Sequence, residues 1–215
     1  MSIRAVIFDF GNVVCFFPTE EQWAEAAQFC DVDVAEFKRA FWLLRDDYDR
    51  GGDPASYWLN IARLTGRAFD NAMIAGLVRR EVAFWSRFDA RVLGWAAQLR
   101  AAGIRTGLLS NLPGPLARAL RATPGFLDHF DQVTFSCEWG VIKPQPEIYR
   151  RALEGLQIAP ADGLFIDDRP ENIEGARSVG LHVELFTTWE EFCKQDLAGY
   201  NLPPSTNRTI KFAAL

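Results

Sequence analysis

Short apolar runs and longer amphipathic stretches alternate along most of the chain. Residues 3–8 (IRAVIF) are too few for a helix, end at Asp9 and read as a buried strand. Runs of the same kind recur at 104–109, 132–135, 163–166 and 181–185. Apolar positions return at helical spacing over 90–102, 114–122, 146–156 and 170–179. Strands alternating with helices predict parallel βαβ units, hence an α/β fold: a Rossmann-like parallel sheet with helices on both faces. Several strands end in polar residues, at Asp9, Ser110-Asn111 and Asp167-Asp168. In an open parallel sheet, ligands bind at the carboxyl ends of the strands.

Residues 16–88 break the alternation and read as helical throughout. Thr19 before Glu20-Glu21 marks one helix start, and Asp33 a second, with Phe37, Phe41 and Leu44 at helical spacing. Asp53-Pro54 opens a third helix, and 69–87 supplies a fourth. Of the 28 aromatic residues 14 fall in this segment, enough to give it a core of its own. The expected organisation is a core domain of 1–15 and 89–200, a small all-helical cap of 16–88 inserted after the first strand, and a C-terminal extension of 201–215. The rings either build the interior of the cap or face a cleft, where they select a substrate.

Composition then narrows the chemistry. At 49% hydrophobic and 24% charged, the 215 residues have the balance of an ordered globular protein. A formal charge of −5 offers nothing to a nucleic-acid backbone. No apolar run is long enough to cross a membrane, and the first residues lack a signal-peptide cleavage site. The expectation is a soluble cytoplasmic monomer or homodimer. Cys15, Cys30, Cys137 and Cys193 are widely spaced without a CxxC pair, and read as reduced thiols. With His129 and His182 the only histidines, a histidine metal cage and a Ser-His-Asp triad are both poor prospects. Catalysis has to rest on carboxylates, lysine, hydroxyls and backbone.

Four motifs fall at strand ends in order: DFGNV (9–13), LSN (109–111), KPQPEIY (143–149) and FIDDRPEN (165–172). Asp9, at the mouth of the sheet, is placed to attack an electrophilic phosphorus or carbon and form a covalent intermediate. Asp167 and Asp168 repel one another and call for a cation. With Asp9 they form a hard-oxygen set that suits Mg²⁺ rather than zinc. Ser110 and Asn111, with backbone N–H groups at the next helix start, are donors for phosphoryl oxygens. Lys143 is the cation facing this negative charge. Pro144 blocks a helix at Lys143, and Pro146 is suited to begin the next one. Glu171 and Asn172 are placed to orient the acidic loop.

Together these motifs resemble the haloacid dehalogenase-like hydrolase superfamily, in its cap-bearing subfamily I, over residues 3–190. The resemblance implies a phosphatase that hydrolyses a small phosphorylated metabolite through an aspartyl phosphate on Asp9. It implies a Mg²⁺ held by Asp9, the backbone carbonyl of Gly11, Asp168, and Asp167 directly or through water. It also implies that Gly11, Ser110, Asn111 and Lys143 hold the phosphate, with Lys143 catalytic beside Asp9.

One position departs from the family pattern. Most phosphatases of the family carry a second aspartate two residues after the nucleophile, where it protonates the leaving oxygen. Here that residue is Gly11, followed by Asn12 where glycine is usual. General acid–base help contributes about 10²–10⁴-fold, so either the enzyme is slow, or the leaving group needs little protonation, or another group supplies the proton, with Glu20, Asp49 and water as the candidates. The form DxGNV is similar to a subgroup related to sugar-1-phosphate phosphatases, which shares the glycine. A 2-haloacid dehalogenase-type reaction is the alternative, since halide leaves without a proton, but it has no use for Asp167-Asp168. A catalytically weak binding module is the other. Asp49-Arg50-Gly51-Gly52 either brings Arg50 over the cleft or forms a tight turn between helices.

Overall fold

The computed structural model describes residues 3–195 and 197–205. Five strands, β1 (Ala5–Phe8), β2 (Arg105–Ser110), β3 (Gln132–Phe135), β4 (Gly163–Asp167) and β5 (His182–Leu185), form one parallel sheet in the order β3-β2-β1-β4-β5. Phe8 pairs with Leu108 on one side and Ile166 on the other. Strand alternation sorts β1 between two apolar layers. Val6 and Phe8 join Trp95 and Leu99 of α6 (Ala90–Ala101) and Leu116 of α7 (Gly114–Ala122). Ala5 and Ile7 join Ile148 and Leu153 of α9 (Pro146–Leu156) and Ile173 of α10 (Pro170–Ser178). The α/β architecture expected from the alternation is thus present.

The chain runs from β1 outward through β2 to β3, then returns to β4 on the far side of β1. The switch of direction opens a crevice at the carboxyl ends of β1 and β4, the usual place for a ligand in such sheets.

Between β1 and α6 lie five helices: α1 (Glu20–Phe29), α2 (Val34–Leu43), α3 (Arg45–Asp49), α4 (Pro54–Leu64) and α5 (Asn71–Phe84). Four of the five starts carry a side-chain cap, α3 being the exception. Thr19 forms a capping box with Gln22, while Asp33, Asp53 and Asp70 each accept backbone N–H groups of the following first turn. The interior is aromatic: Trp23 packs on Phe41 and Phe84 with ring centroids 5.0 and 4.8 Å apart, and Phe37 stacks on Trp58. Phe17, Trp42 and Trp85 also line a cavity.

Leu44 ends α2 rather than continuing its face, and α3 follows at once. The sequence gives no apolar period for α3 because its buried residues are Arg45, Tyr48 and Asp49. After α3 the chain turns against α8 (Ser136–Trp139). Gly51 has φ 99°, and a Cβ there would lie 2.7 Å from the Cys137 carbonyl oxygen. The glycines therefore serve a tight turn at a close approach. Arg50 pairs with Asp47 at 3.5 Å and is not among the residues lining the cavity. Gly51→Ala is expected to cost about 2–3 kcal/mol, since left-handed backbone alone costs about 1–3 kcal/mol for other residues. Urea unfolding checks this; an unchanged midpoint would contradict the packing described.

Among the described residues no helix is long and apolar enough to cross a membrane. All four cysteines are free thiols. Of the expected extension, 201–205 is described: Trp95 Nε1 donates to the Pro203 carbonyl at 3.0 Å. Residues 206–215 lie outside the described residues.

Candidate active site

All four motifs arrive at the same crevice, three at strand ends as expected and the Lys143 motif instead after a short helix that follows β3. Asp9 follows β1, Asp167 ends β4, Ser110 ends β2, and Lys143 comes from the segment between α8 and α9. Lys143 is 3% exposed, and its Nζ donates to Asp9 Oδ1 and Asp167 Oδ2, both at 2.6 Å. Asp167 is saturated: Asn172 Nδ2 donates to both its oxygens at 3.0 and 3.1 Å, and the Arg169 N–H to Oδ1 at 2.8 Å. Asp168 accepts from Asn12 Nδ2 at 3.0 Å. Asp9 Oδ2 has no hydrogen-bond partner among the described residues.

Carboxylate oxygens of Asp9, Asp167 and Asp168 lie within 4.8 Å of one another. Three carboxylates face one ammonium, leaving two negative charges uncompensated. The pKa directions follow. Burial pushes the Asp9 carboxyl up to about 7, opposed by Lys143 and helped by Asp167 and Asp168. Burial likewise raises Asp168, against the Asn12 bond. Burial disfavours the Lys143 ammonium, but Asp167 and Asp9 outweigh it and hold its pKa above the ordinary value. An all-oxygen donor set short of two positive charges fits a hard divalent cation.

Asp9, Lys143 and Asp168 line one wall of a cavity of about 420 Å³, while Asp167 is fully buried and does not line it. Arg45, Asp46 and Asp49 of α3 line it too, with Phe17, Trp42 and Trp85 as aromatic surface. Gly11 lines it beside Asp9, and a Cβ there would lie 3.5 Å from the Trp85 ring.

Several roles differ in detail from the sequence reading. Asn111 lines the cavity, but its amide is engaged at both ends: Nδ2 donates to the Lys143 carbonyl at 3.0 Å and Oδ1 accepts the Lys143 N–H at 2.8 Å. It holds the lysine segment in place. Asn172 clamps the acidic loop as expected, whereas Glu171 accepts from Arg169. Glu20 pairs with Lys38 at 2.6 Å, is largely exposed, and is not among the lining residues.

Three contributors went unread. Asn12 takes up φ 58°, a conformation asparagine tolerates better than most residues; the unusual Asn after Gly11 was its signal. Ser136 accepts the Leu112 N–H at 3.0 Å and donates to the Asp49 carbonyl at 2.5 Å, tying the loop after β2 to α3. Arg45, buried on α3, had no sequence signal beyond its charge.

The fold and this crevice define a class: a doubly wound, Rossmann-like α/β scaffold with an acidic site at its switch point. The family model for haloacid dehalogenase-like hydrolases matches residues 3–180, and the chain belongs to that family. A phosphatase of Mycobacterium tuberculosis is 30% identical over 197 residues, covering 86% of this chain and 88% of that protein. Alignments with other curated relatives cover less than half of their length. Two solved structures share the fold. One is a HAD family enzyme of Bacteroides thetaiotaomicron in complex with magnesium and inorganic phosphate (TM-score 0.70, 19% identity, 89% of this chain and 99% of that one). The other is an L-2-haloacid dehalogenase of Xanthobacter autotrophicus (TM-score 0.68, 20% identity, 94% and 85%).

Proposed function

We propose that this hydrolase is a Mg²⁺-dependent phosphatase acting on a small phosphorylated metabolite through an aspartyl phosphate on Asp9. The observation that carries the reading is the trio Asp9, Asp167 and Asp168 around one lysine, whose uncompensated charge a divalent cation would complete. Asp9, Asp168 and the Gly11 carbonyl would hold the ion directly, with Asp167, already saturated, behind them. Bound there, Mg²⁺ supplies positive charge that lets an anionic carboxylate approach an anionic phosphate.

The chain's own residues do the rest. Lys143 holds Asp9 Oδ1 and so aims the carboxylate, leaving Oδ2 to attack phosphorus. Its ammonium, with the Ser110 hydroxyl, offsets charge on the phosphoryl oxygens. The phosphorus–oxygen ester bond breaks, the alcohol leaves, and water then cleaves the Asp9 phosphoryl bond to release inorganic phosphate. In this reading 1–15 and 89–200 act as the core domain and 16–88 as a subfamily I cap over the cleft. The DxGNV form supports kinship with the sugar-1-phosphate phosphatase subgroup. The M. tuberculosis relative's description as a phosphatase and the magnesium–phosphate complex of the B. thetaiotaomicron enzyme point the same way. Gly11 is the observation that favours halide displacement as a second reading, since that reaction needs no proton donor.

The test is a panel of p-nitrophenyl phosphate, sugar 1-phosphates, nucleotides and 2-haloacids, each with Mg²⁺ and with chelator. Phosphate release that disappears with chelator is expected. Halide release indifferent to chelator would replace this reading with the dehalogenase one. Silence across the panel would favour a binding module. Asn172→Ala frees Asp167 to move, so Mg²⁺ affinity by titration calorimetry is expected to fall about 10–100-fold.

A further inference from the structure

An ester oxygen leaves phosphorus more easily if it receives a proton as the bond breaks. On the core wall no carboxyl is free to give one. Asp9 is the attacking group, Asp167 is saturated, Asp168 is held by Asn12, and Gly11 has no side chain. The wall contributed by α3 offers two carboxyls, exposed Asp46 and buried Asp49, besides Arg45, which does not release its proton.

Asp49 is fixed in relation to the core. Its carbonyl accepts from Ser136 Oγ at 2.5 Å, and the Gly51 turn that follows presses on Cys137. Its carboxyl belongs to a buried group of one cation and two acids: Arg45, Asp49 and Glu81 of α5. Glu81 is the better held of the two acids. Arg45 Nη1 donates to it at 2.5 Å and the Tyr48 hydroxyl at 3.1 Å. Asp49 Oδ1 lies 2.8 Å from Arg45 Nε but off the line of a hydrogen bond. A buried excess of negative charge retains a proton, and it settles on the acid with the weaker partners.

We propose that Asp49 is the acid–base residue of the reaction, standing in for the carboxyl that Gly11 lacks. As the bond from Asp9 to phosphorus forms, the ester bond breaks and its electron pair takes the Asp49 proton, so that the alcohol leaves neutral. Water then enters from the same side and attacks phosphorus. Its proton passes to Asp49, and the phosphorus bond to Asp9 breaks, returning the electron pair to the carboxylate. Asp49 ends each cycle protonated. Burial pushes its carboxyl up to about 6, against Arg45. The other titratable groups around it are Asp46 of its own helix, Glu81, Tyr57 of α4 and Cys137 of α8. The inference rests on the phosphatase reading.

The test compares phenyl phosphate, which has a poor leaving group, with 2,4-dinitrophenyl phosphate, which has a good one. In the wild type, the ratio of kcat/KM for phenyl to dinitrophenyl ester is expected to fall about tenfold per pH unit above pH 6, because only protonated Asp49 assists. Taking a ratio cancels the titration of Asp9 and of the metal site. Asp49→Asn is expected to lose about 100-fold more on phenyl than on dinitrophenyl phosphate, and its ratio should not vary with pH. Equal losses on both esters, or a wild-type ratio flat with pH, would overturn the role of Asp49. The wild-type ratio decides the matter even if the variant fails to fold. Hydrolysis of neither ester by the wild type, or hydrolysis that persists in Asp9→Asn, would instead be failure of the phosphatase reading.

Discussion

Asp9→Asn is expected to reduce phosphate release by about 10⁴–10⁶-fold, the scale of losing a nucleophile, without unfolding the protein. An amide has nearly the shape of the carboxylate but attacks phosphorus poorly. Stability separates this from a structural failure. A carboxyl of this kind ordinarily titrates near 3.8, and burial raises that of Asp9 to about 7 in the fold. A raised carboxyl means that the folded state binds the proton more tightly, so metal-free stability from this group is lost as pH rises from about 4 to 7. The asparagine variant lacks that loss. Without metal at pH 8 it should melt at or above the wild-type temperature while being inactive. Thermal melts with activity assays on the same samples check both halves. An active variant would remove Asp9 from the chemistry.

Lys143→Met is expected to damage both stability and rate. The ammonium is the one cation in direct contact with Asp9 and Asp167 among the described residues. Removing one partner of a buried charge pair costs about 3–5 kcal/mol, because the other charge is left uncompensated. Asp9 can take up a proton, so the deficit should be smaller at pH 5 than at pH 8. Phosphate release should fall about 10²–10³-fold, the effect of losing one preorganised donor on the transition state. Urea unfolding at the two pH values measures the first effect, and turnover with saturating Mg²⁺ the second. A variant as stable as the wild type at pH 8 would contradict the charge balance described.

The sequence made the sheet legible because its strands are short, apolar and spaced by helical periods. Three of them run directly into the polar residues of the crevice, at Asp9, Ser110 and Asp167. Strand order is not written in the motifs, since nothing local says that β4 returns beside β1. The helices of the insertion were legible from their caps, with Thr19, Asp33 and Asp53 announcing three starts. What escaped notice was chemistry formed by distance. α3 has no apolar period because it buries charge, and its partner Glu81 lies 36 residues away. Asn111 reads as a phosphate donor beside Ser110, and nothing local shows that its amide also pairs with the backbone of Lys143. Glu20 and Asp49 were equal candidates as acids in a linear reading. Burial separates them: Glu20 faces solvent beside Lys38, while Asp49 lines the cavity.

The most direct measurement is acid-quench mass spectrometry of the enzyme caught during turnover of 2,4-dinitrophenyl phosphate with Mg²⁺. A phosphoryl increment on the peptide carrying Asp9, absent with chelator and absent in Asp9→Asn, is the predicted result. Turnover that continues in Asp9→Asn, with no phosphoryl group on the wild-type peptide, would contradict the account.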